Sequence, residues 1–378
     1  MIRIVLSGLL SMMLLNNGLF LNNHQQTTNL PLPDNQIEKI VKEEIPPNTH
    51  TTKVVKEEIP LNTHTNKIKL MEYLADIYGK KVLSGQQVYQ SLSEVEAIYQ
   101  ITGKEPAILG LDFMDYSPSR VERGTQGVDT EIAIQWWSEG GVVLFCWHWN
   151  APMGLIDKKP NKQWWRGFYT EATNFNFVNG INNMESEEYR LLIRDIDAIA
   201  EELKKLQAEG APVLWRPLHE ASGGWFWWGS QGPEHYKKLW RIMFDRLTKH
   251  HQLNNLIWVW NGEHPDWYPG DDVVDIVGID IYGPKRDYSP WTEEFKIAEG
   301  YAGTNKMVAL TENGAIPDPD LLKETGANWL WYCTWSNELV LEKDQKTYSE
   351  EYTETQMLKK VYQHEYVITK DELPALCK

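Results

Sequence analysis

The sequence predicts an α/β fold, specifically a (β/α)8 TIM barrel in a single domain over residues 68–376. The chain has 378 residues, enough for one barrel of about 250–300 residues and a further segment. Eight short apolar runs alternate with helical or polar segments, and continuous apolar runs are typical of parallel strands buried on both faces. A closed barrel is favoured over an open doubly wound sheet, because no glycine-rich phosphate loop follows the first run.

The predicted barrel strands are the eight apolar runs, and the segments between them include two clear helices. Residues 186–210 and 233–250 have helical periodicity, and Gly210 occupies the position expected for a helix C-cap. The runs are Lys81–Ser84, Ala107–Asp112, Gly141–His148, Val213–Leu218, Leu256–Trp260, Val274–Tyr282, Met307–Thr311 and Trp329–Trp335.

The first residues resemble an export signal. Arg3 precedes an apolar run over Ile4–Leu15, which is too short to span a bilayer comfortably. We therefore expect a signal peptide at about residues 1–22, a secreted, extracellular protein, and no membrane association after export.

Residues 23–67 are predicted to be a linker that contains a tandem repeat of 14 residues, at 40–53 and 54–67. Its Pro, Thr, Asn and charged residues lack the apolar content of a core. Two copies are also too few for a solenoid. A solvated spacer is the favoured interpretation, and a motif that binds a cell wall or a partner is the alternative.

Charge and composition restrict the classes of partner. The net charge of −16 argues against binding nucleic acid, whose phosphates would be repelled, but permits a neutral polysaccharide. The 18 Trp and 17 Tyr suit either sugar stacking or a large aromatic core. Of the three cysteines, Cys146 and Cys333 lie in apolar runs and are predicted to be buried free thiols. No feature predicts the oligomeric state.

Polar side chains follow the apolar runs at the positions where a TIM barrel carries its active site, the C-terminal ends of the strands. A purely structural barrel has no need for ionisable groups at so many of these ends, so the pattern predicts an enzyme. The residues are Asp112, His148, Asn150, Arg216, His219, Glu220, Asn261, Asp280, Tyr282, Glu312, Asn313 and Trp335.

Glu220 and Glu312 are predicted to be the catalytic pair of a glycosidase. They follow runs four and seven, and glycoside hydrolysis needs one carboxylic acid and one carboxylate. A retaining pair lies about 5–5.5 Å apart, and like charges at that separation favour one protonated member. Glu312 is expected to be the nucleophile and Glu220 the acid, which then acts as base. Arg216 is expected to hydrogen-bond one of these carboxylates and keep it charged.

His148 and His219 could suggest a metal, but no H-E-x-x-H spacing is present and a zinc site needs a third converging ligand. No metal is therefore expected. The histidines are expected to position the sugar or the carboxylates, with a role as satisfied core residues as the alternative. Trp225 and Trp335 are candidate sugar platforms, whereas Trp258 and Trp260 are expected to be at least partly core.

One long motif resembles a known family. VLWRPLHEASGGWFWWG (213–229) is similar to the acid/base strand and loop of glycoside hydrolase family 26 mannanases. The resemblance covers roughly residues 68–376. Other matching segments are LSGQQ (83–87), LFCWHWNAP (144–152), LIWVWNGEHPDWYPGDDVVDIVGIDIYG (256–283), ALTENG (309–314) and QHEYVITKDELP (363–374).

The resemblance implies a retaining endo-β-1,4-mannanase that cleaves mannan, galactomannan and glucomannan by double displacement without a cofactor. It also implies that His148 contacts the sugar and that Tyr282 hydrogen-bonds the nucleophile. The family includes enzymes for mixed-linkage glucan and β-1,3-xylan, which remain alternatives. A non-catalytic glycan-binding barrel is a third, and the two glutamates argue against it. The expected substrate-binding residues are Asp112, His148, Arg216, His219, Trp225, Asn261, Tyr282 and Trp335.

Overall fold

A computed structural model describes residues 61–301 and 306–375. At its centre is a closed barrel of eight parallel strands, the second to the ninth of ten strands, in which each strand pairs with the next and the last pairs with the first. The (β/α)8 prediction is therefore confirmed. The strands are β1 (Val82–Leu83), β2 (Gly85–Gln87), β3 (Ile108–Asp112), β4 (Val142–Cys146), β5 (Val213–Arg216), β6 (Leu256–Trp260), β7 (Ile276–Ile281), β8 (Met307–Asn313), β9 (Tyr332–Thr334) and β10 (Val367–Ile368).

Helices lie between the barrel strands, and the two longest predicted ones are present. The helix Glu187–Ala208 begins where the Ser186 side chain accepts a hydrogen bond from a backbone N–H, and it is followed by Gly210 at φ 71°. Among the described residues, no helix is long and apolar enough to cross a membrane. The other helices are Leu61–Ile77, Ser93–Thr102, Pro118–Val121, Asp129–Ser138, Phe177–Asn182, Pro233–Asp245, Thr292–Tyr301, Pro319–Thr325 and Thr355–Tyr362.

The first barrel strand differs from the prediction. The apolar run Lys81–Ser84 contributes β1, which pairs with β10 outside the barrel, and the barrel strand is the polar segment Gly85–Gln87. A polar strand is tolerated here because the Gln86 side chain donates a hydrogen bond to the Thr334 carbonyl at 3.1 Å. A Cβ on Gly85 would lie 2.4 Å from the Tyr332 carbonyl oxygen, so this close approach requires glycine.

The first described helix begins earlier than the predicted domain boundary at residue 68. The helix Leu61–Ile77 starts inside the second copy, so residues 61–67 belong to the barrel domain. Asn66 is buried and its Nδ2 donates to the Gly210 carbonyl at 2.9 Å. Lys67 forms an ion pair with Asp275 at 3.7 Å. The proposed signal peptide, the first copy of the repeat and Cys377 lie outside the described residues.

The aromatic content is largely core, and the predicted core residues are buried. Trp258 packs against Trp240 and Phe244 of the helix Pro233–Asp245, with ring centroids 5.6 and 4.9 Å apart. Trp260 is also buried. Cys146 and Cys333 are buried free thiols, as predicted.

An irregularity between β7 and β8 determines which side chains meet at the barrel's C-terminal end. Ile279 pairs with Leu310, but Asp280 pairs with Glu312, so Thr311 is an extra residue in β8. A Cβ on Gly278 would lie 2.6 Å from the Thr311 methyl group, so glycine makes room for it. Bulges of this kind redirect side chains next to active sites. Here the bulge sets Asp280 beside Glu312.

Candidate active site

The polar residues predicted from the strand ends gather at one end of the barrel. Asp112 is the last residue of β3 and Arg216 the last residue of β5, while Asp280 and Glu312 are the penultimate residues of β7 and β8. Their side chains are buried and connected by hydrogen bonds. His148, Glu220, Asn261, Tyr282 and Trp335 follow their strands by one to four residues. The structure therefore brings the predicted residues into one site.

Glu312 is held by two donors. The Arg216 guanidinium donates one N–H to Glu312 Oε1 and another to Asp280 Oδ2, the latter at 2.8 Å. The Tyr282 hydroxyl donates to Glu312 Oε2 at 2.5 Å. Burial raises the pKa of Glu312 to about 7 and Asp280 adds to this, while Arg216 and Tyr282 oppose the rise. Both donors favour the ionised form of Glu312.

Asp280 is fixed by three neighbours besides Arg216. Its Oδ1 accepts from Asn261 Nδ2 at 2.8 Å and from the Thr311 hydroxyl at 2.6 Å. Its backbone N–H donates to Glu263 Oε1 at 3.2 Å. Asn261 and Thr311 are themselves bonded at 2.6 Å. This network fixes the carboxylate that orients Arg216, and it explains why Asn261 is buried at the end of β6.

Glu220 occupies a different environment. It lies in a tight turn after β5, with φ 51°, and its backbone N–H donates to the Asn261 carbonyl at 2.7 Å. Trp225 Nε1 donates to Glu220 Oε2 at 2.8 Å. Among the residues that the structure describes, Glu220 forms no ion pair. Burial raises its pKa well above the usual range, and Asp280, Glu263 and Glu312 act in the same direction. Glu220 therefore favours the protonated form.

The two histidines form a chain with Asp112. Asp112 Oδ2 lies 2.6 Å from His148 Nδ1, and Asp112 Oδ1 accepts the His148 backbone N–H at 3.0 Å. His148 Nε2 lies 3.2 Å from His219 Nε2. Burial lowers the pKa of His219 well below its usual range, and Arg216 and His148 lower it further, so this imidazole is neutral. The chain fixes the orientation of His148 next to the glutamates.

In two groups of side chains, the potential ligand atoms lie close enough to one another to bind a metal ion. The groups are Asp112, Cys146 and His148, and Glu220, Glu263 and Asp280, each with atoms within 4.8 Å of one another. In the first group His148 Nδ1 is already bonded to Asp112, and burial raises the pKa of Cys146 so that it stays a thiol. The second group is the carboxyl cluster around the acid candidate. The absence of a resident metal remains a prediction.

The strand-end pattern left two carboxyl groups of the site without a role. Asp280 is recognisable only as a polar residue at the end of its run, because its bond to Arg216 depends on the bulge. Glu263 lies in the loop after β6, at φ 60°, and is half-buried. Its position two residues after Asn261 was the available signal.

An open cavity of about 160 Å³ adjoins the His148 end of the site. Asp112, His148 and Trp335 line it, whereas the half-buried Trp225 lies beside Glu220. Strand-end analysis does not find most of the remaining lining, since those side chains belong to loops. They are Gln87, Val88, Tyr89, Met114, Arg120, Trp165, Arg166, Phe168, Tyr169, Ser336 and Asn337.

Comparison with known families assigns the chain. Residues 60–372 match the profile described as glycosyl hydrolase family 26. The chain belongs to glycosyl hydrolase family 26. The family predicted from the sequence motifs is thus confirmed, and the matched region begins, like the first helix, before residue 68.

Relatives of this family 26 chain include proteins with named activities. A mannan endo-1,4-beta-mannosidase of Thermothelomyces thermophilus is 47% identical over 304 residues, covering 80% of this chain and 60% of the relative. The chain therefore spans less than two thirds of that relative's length.

Solved mannanase structures are similar in fold to this chain. The GH26-CBM35 β-(1,4)-mannanase of Podospora anserina has a TM-score of 0.78 at 47% identity, covering 85% of this chain and 70% of that one. A β-mannanase from a symbiotic protist of the termite Reticulitermes speratus, complexed with gluco-manno-oligosaccharide, has a TM-score of 0.72 at 33% identity. That match covers 82% of this chain and 95% of the other.

Proposed function

We propose that this protein is a retaining endo-β-1,4-mannanase that hydrolyses internal β-1,4-mannosidic bonds of mannan, galactomannan and glucomannan. The observation that carries the proposal is the contrast between two glutamates at the same end of one barrel. Glu312 accepts hydrogen bonds from a guanidinium and a phenol, whereas Glu220 has no cation partner among the described residues and accepts from Trp225. One carboxylate and one carboxylic acid are what glycoside hydrolysis requires.

Glu312 is the nucleophile in this proposal. Its ionised form is favoured by Arg216 and by Tyr282, whose own pKa is raised by burial so that the hydroxyl stays protonated and donates. A carboxylate that is ionised and fixed by two donors can attack an anomeric carbon without first losing a proton. The same two donors stabilise it again as the leaving group of the second step.

Glu220 is the acid and then the base. In the first step its proton passes to the glycosidic oxygen while Glu312 bonds to the anomeric carbon and the bond from that carbon to the leaving oxygen breaks. In the second step the Glu220 carboxylate takes a proton from water, whose oxygen bonds to the anomeric carbon and releases Glu312. Each step returns the proton that the other uses, so the pair ends as it began.

The substrate class is supported by the relatives and by the shape of the site. The Thermothelomyces relative is named for mannan, and the protist structure contains a gluco-manno-oligosaccharide. The open cavity beside His148 carries Trp165, Tyr169 and Trp335, whose flat rings suit packing against pyranose C–H groups. Half-buried Trp225 offers a further ring beside the acid.

Substrate choice and catalysis can be tested together. Purified protein is incubated separately with carob galactomannan, konjac glucomannan, barley β-glucan and β-1,3-xylan, and released oligosaccharides are resolved by chromatography. We expect a series of manno-oligosaccharides from the first two polymers and little release from the others. Release from β-glucan or xylan alone would replace mannan as the substrate. Binding to any polymer without release would favour a glycan-binding barrel.

The proposed reaction requires only the polysaccharide and water, because protonation, attack and charge stabilisation are all assigned to side chains. Dialysis against EDTA should therefore leave the activity unchanged, and loss that Ca²⁺ or Zn²⁺ restores would contradict this.

We also propose that residues 1–22 direct export to the extracellular space, where β-mannan is accessible. The N-terminal residue of protein recovered from culture medium, determined by mass spectrometry, tests this. Retention of residues 1–22, or activity confined to the cells, would contradict it.

A further inference from the structure

We propose that Glu263 is a positioning residue that keeps the transferable proton on Glu220 until a glycosidic oxygen is in place. The inference rests on the proposed role of Glu220 as the acid. Glu263 lies in the loop after β6, outside the barrel strands, and it is two residues beyond Asn261. It adds a fourth carboxyl group to the cluster formed by Glu220, Asp280 and Glu312.

The first step is the balance of charge around Arg216. The carboxyl groups of Asp280, Glu312, Glu220 and Glu263 all influence one another, and Arg216 is the single cation that hydrogen-bonds any of them among the described residues. Its guanidinium is committed to Asp280 and Glu312. Among the described residues, Glu220 and Glu263 are therefore the two carboxyl groups of this cluster without a hydrogen-bonded cation, although Arg216 is near enough to Glu263 to favour its ionised form.

The second step is the geometry of Glu263. Oxygen atoms of Glu220, Glu263 and Asp280 lie within 4.8 Å of one another. Glu263 is fixed in that position because its Oε1 accepts the Asp280 backbone N–H at 3.2 Å. Its backbone, at φ 60°, is in the left-handed region that non-glycine residues adopt only under local constraint. A mobile surface glutamate would have neither feature.

The third step follows from the separation. Two carboxylates this close to one another cannot both ionise easily, so the pair holds one proton over a wide pH range. Trp225 donates to Oε2 of Glu220, which leaves the other oxygen of Glu220 to carry the proton. Burial, Asp280, Glu263 and Glu312 together raise the pKa of Glu220. Burial raises the pKa of Glu263 as well, but the Asp280 backbone N–H and the nearby Arg216 oppose that rise, so we assign the negative charge of the pair to Glu263 and the proton to Glu220. An ionised Glu263 makes Glu220 a carboxylic acid at a pH where an isolated glutamate would be a carboxylate.

Other charged or titratable groups face this pair and stay in place when Glu263 alone is changed. Asp280 of β7, Glu312 of β8 and Tyr282 directly after β7 face Glu220. Arg216 of β5 faces Glu263. Tyr301, the last residue of the helix Thr292–Tyr301, has a pKa that is raised by burial and by the charge of Glu263. A shift in the titration of Glu220 caused by a Glu263 variant therefore reports the Glu263 charge.

The test is the pH dependence of kcat/KM for Glu263→Gln on the polysaccharide that the wild-type protein hydrolyses. Gln keeps the oxygen that accepts the Asp280 N–H but carries no charge. Removing a negative charge stabilises ionised Glu220, lowers its pKa and moves the basic limb of the profile to lower pH. We expect a shift of about one pH unit or more, allowing for solvent screening of a half-buried charge.

A second substrate separates this effect from a general change in the site. An aryl β-mannobioside with a good leaving group needs little protonation, so its kcat/KM should show much less of the basic-limb shift. Glu234→Gln is the matched control, since Glu234 is exposed on a helix outside the barrel and pairs with Lys237. It removes one negative charge and should leave the profile unchanged.

If Glu263→Gln does not fold, the pair Glu263→Asp and Glu263→Asn provides the same comparison. Both residues tolerate positive φ, and they differ only in charge at equal side-chain length. A basic limb at the same pH in the charged and uncharged members of either pair overturns the proposal. The shift is measured on whichever β-glycan is cleaved, so a wrong assignment of mannan leaves this test intact.

Discussion

Replacing Tyr282 by Phe removes one of the two hydrogen bonds that keep Glu312 ionised. The hydroxyl donates to Glu312 Oε2 at 2.5 Å, in a site where both residues are buried. This bond favours the ionised form, so its loss must raise the pKa of Glu312 above its present value of about 7. The phenyl ring of the variant keeps the packing of the Tyr282 ring, so the change is limited to one oxygen atom.

The size of the effect follows from the kind of bond. A hydrogen bond to a charged group contributes about 1.5–3 kcal/mol, and one pKa unit corresponds to about 1.4 kcal/mol. The pKa of Glu312 should therefore rise by about one to two units. Because the nucleophile acts as a carboxylate, activity is lost as the pH falls through this pKa. The acidic limb of kcat/KM should consequently move to higher pH, by the same one to two units.

The assay is kcat/KM on galactomannan between about pH 4 and pH 10, with an aryl mannobioside as second substrate. The acidic limb should move with both substrates, since both need the nucleophile. Tyr236→Phe is the matched control, because Tyr236 is a buried tyrosine of the helix Pro233–Asp245, outside the barrel. An acidic limb that stays in place in Tyr282→Phe would refute the assignment of Glu312 as the titrating nucleophile.

Three further predictions test separate parts of the argument. Glu312→Ala should abolish turnover while binding of manno-oligosaccharide by calorimetry survives; residual activity near the wild-type rate would exclude it as nucleophile. Glu220→Ala should lower activity on polysaccharide by about 10²–10⁴-fold and spare activated aryl glycosides, whereas equal loss on both substrates would contradict its role as acid. Asn66→Ala should lower the free energy of unfolding by about 1 kcal/mol, because the buried Gly210 carbonyl loses its donor, while His64→Ala on the exposed face should not. Equal thermal stability of those two variants would mean that residues 61–67 are not part of the folded domain.

Much of the barrel could be predicted because its strands are buried on both faces. Runs such as Val213–Leu218 and Leu256–Trp260 therefore contain the strands β5 and β6. The first strand could not, because β2 is polar and is stabilised by side-chain hydrogen bonds and by close backbone approach at Gly85. A run of apolar residues identifies strands that are stabilised by burying their side chains, whereas β2 is stabilised by hydrogen bonds and close backbone packing.

The start of the domain was missed for a similar reason. Residues 61–67 have the composition of the repeat that precedes them, with few apolar side chains to indicate a helix. Two contacts attach this segment to the barrel domain: Asn66 donates a hydrogen bond to the Gly210 carbonyl, and Lys67 forms an ion pair with Asp275. Both partners are more than a hundred residues away in the sequence. Polar contacts of such long range have no local signature in the sequence.

The residues of the site and the roles of the two glutamates could be predicted from the sequence, but the contacts that distinguish the two glutamates could not. Strand ends identify Glu220 and Glu312, yet their local sequences do not contain the neighbours that keep one of them ionised. Arg216 is four residues from Glu220 in the chain, but its guanidinium bonds Glu312, 96 residues away. The hydrogen bond from Arg216 to Glu312 depends on the register of β7 and β8. Because Thr311 is an extra residue in β8, Asp280 pairs with Glu312, and Arg216 has two adjacent acceptors. Two chemically identical side chains thus acquire opposite roles because the bulge between β7 and β8 directs one cation to Glu312. Glu220 is left among carboxyl groups that favour its protonated form.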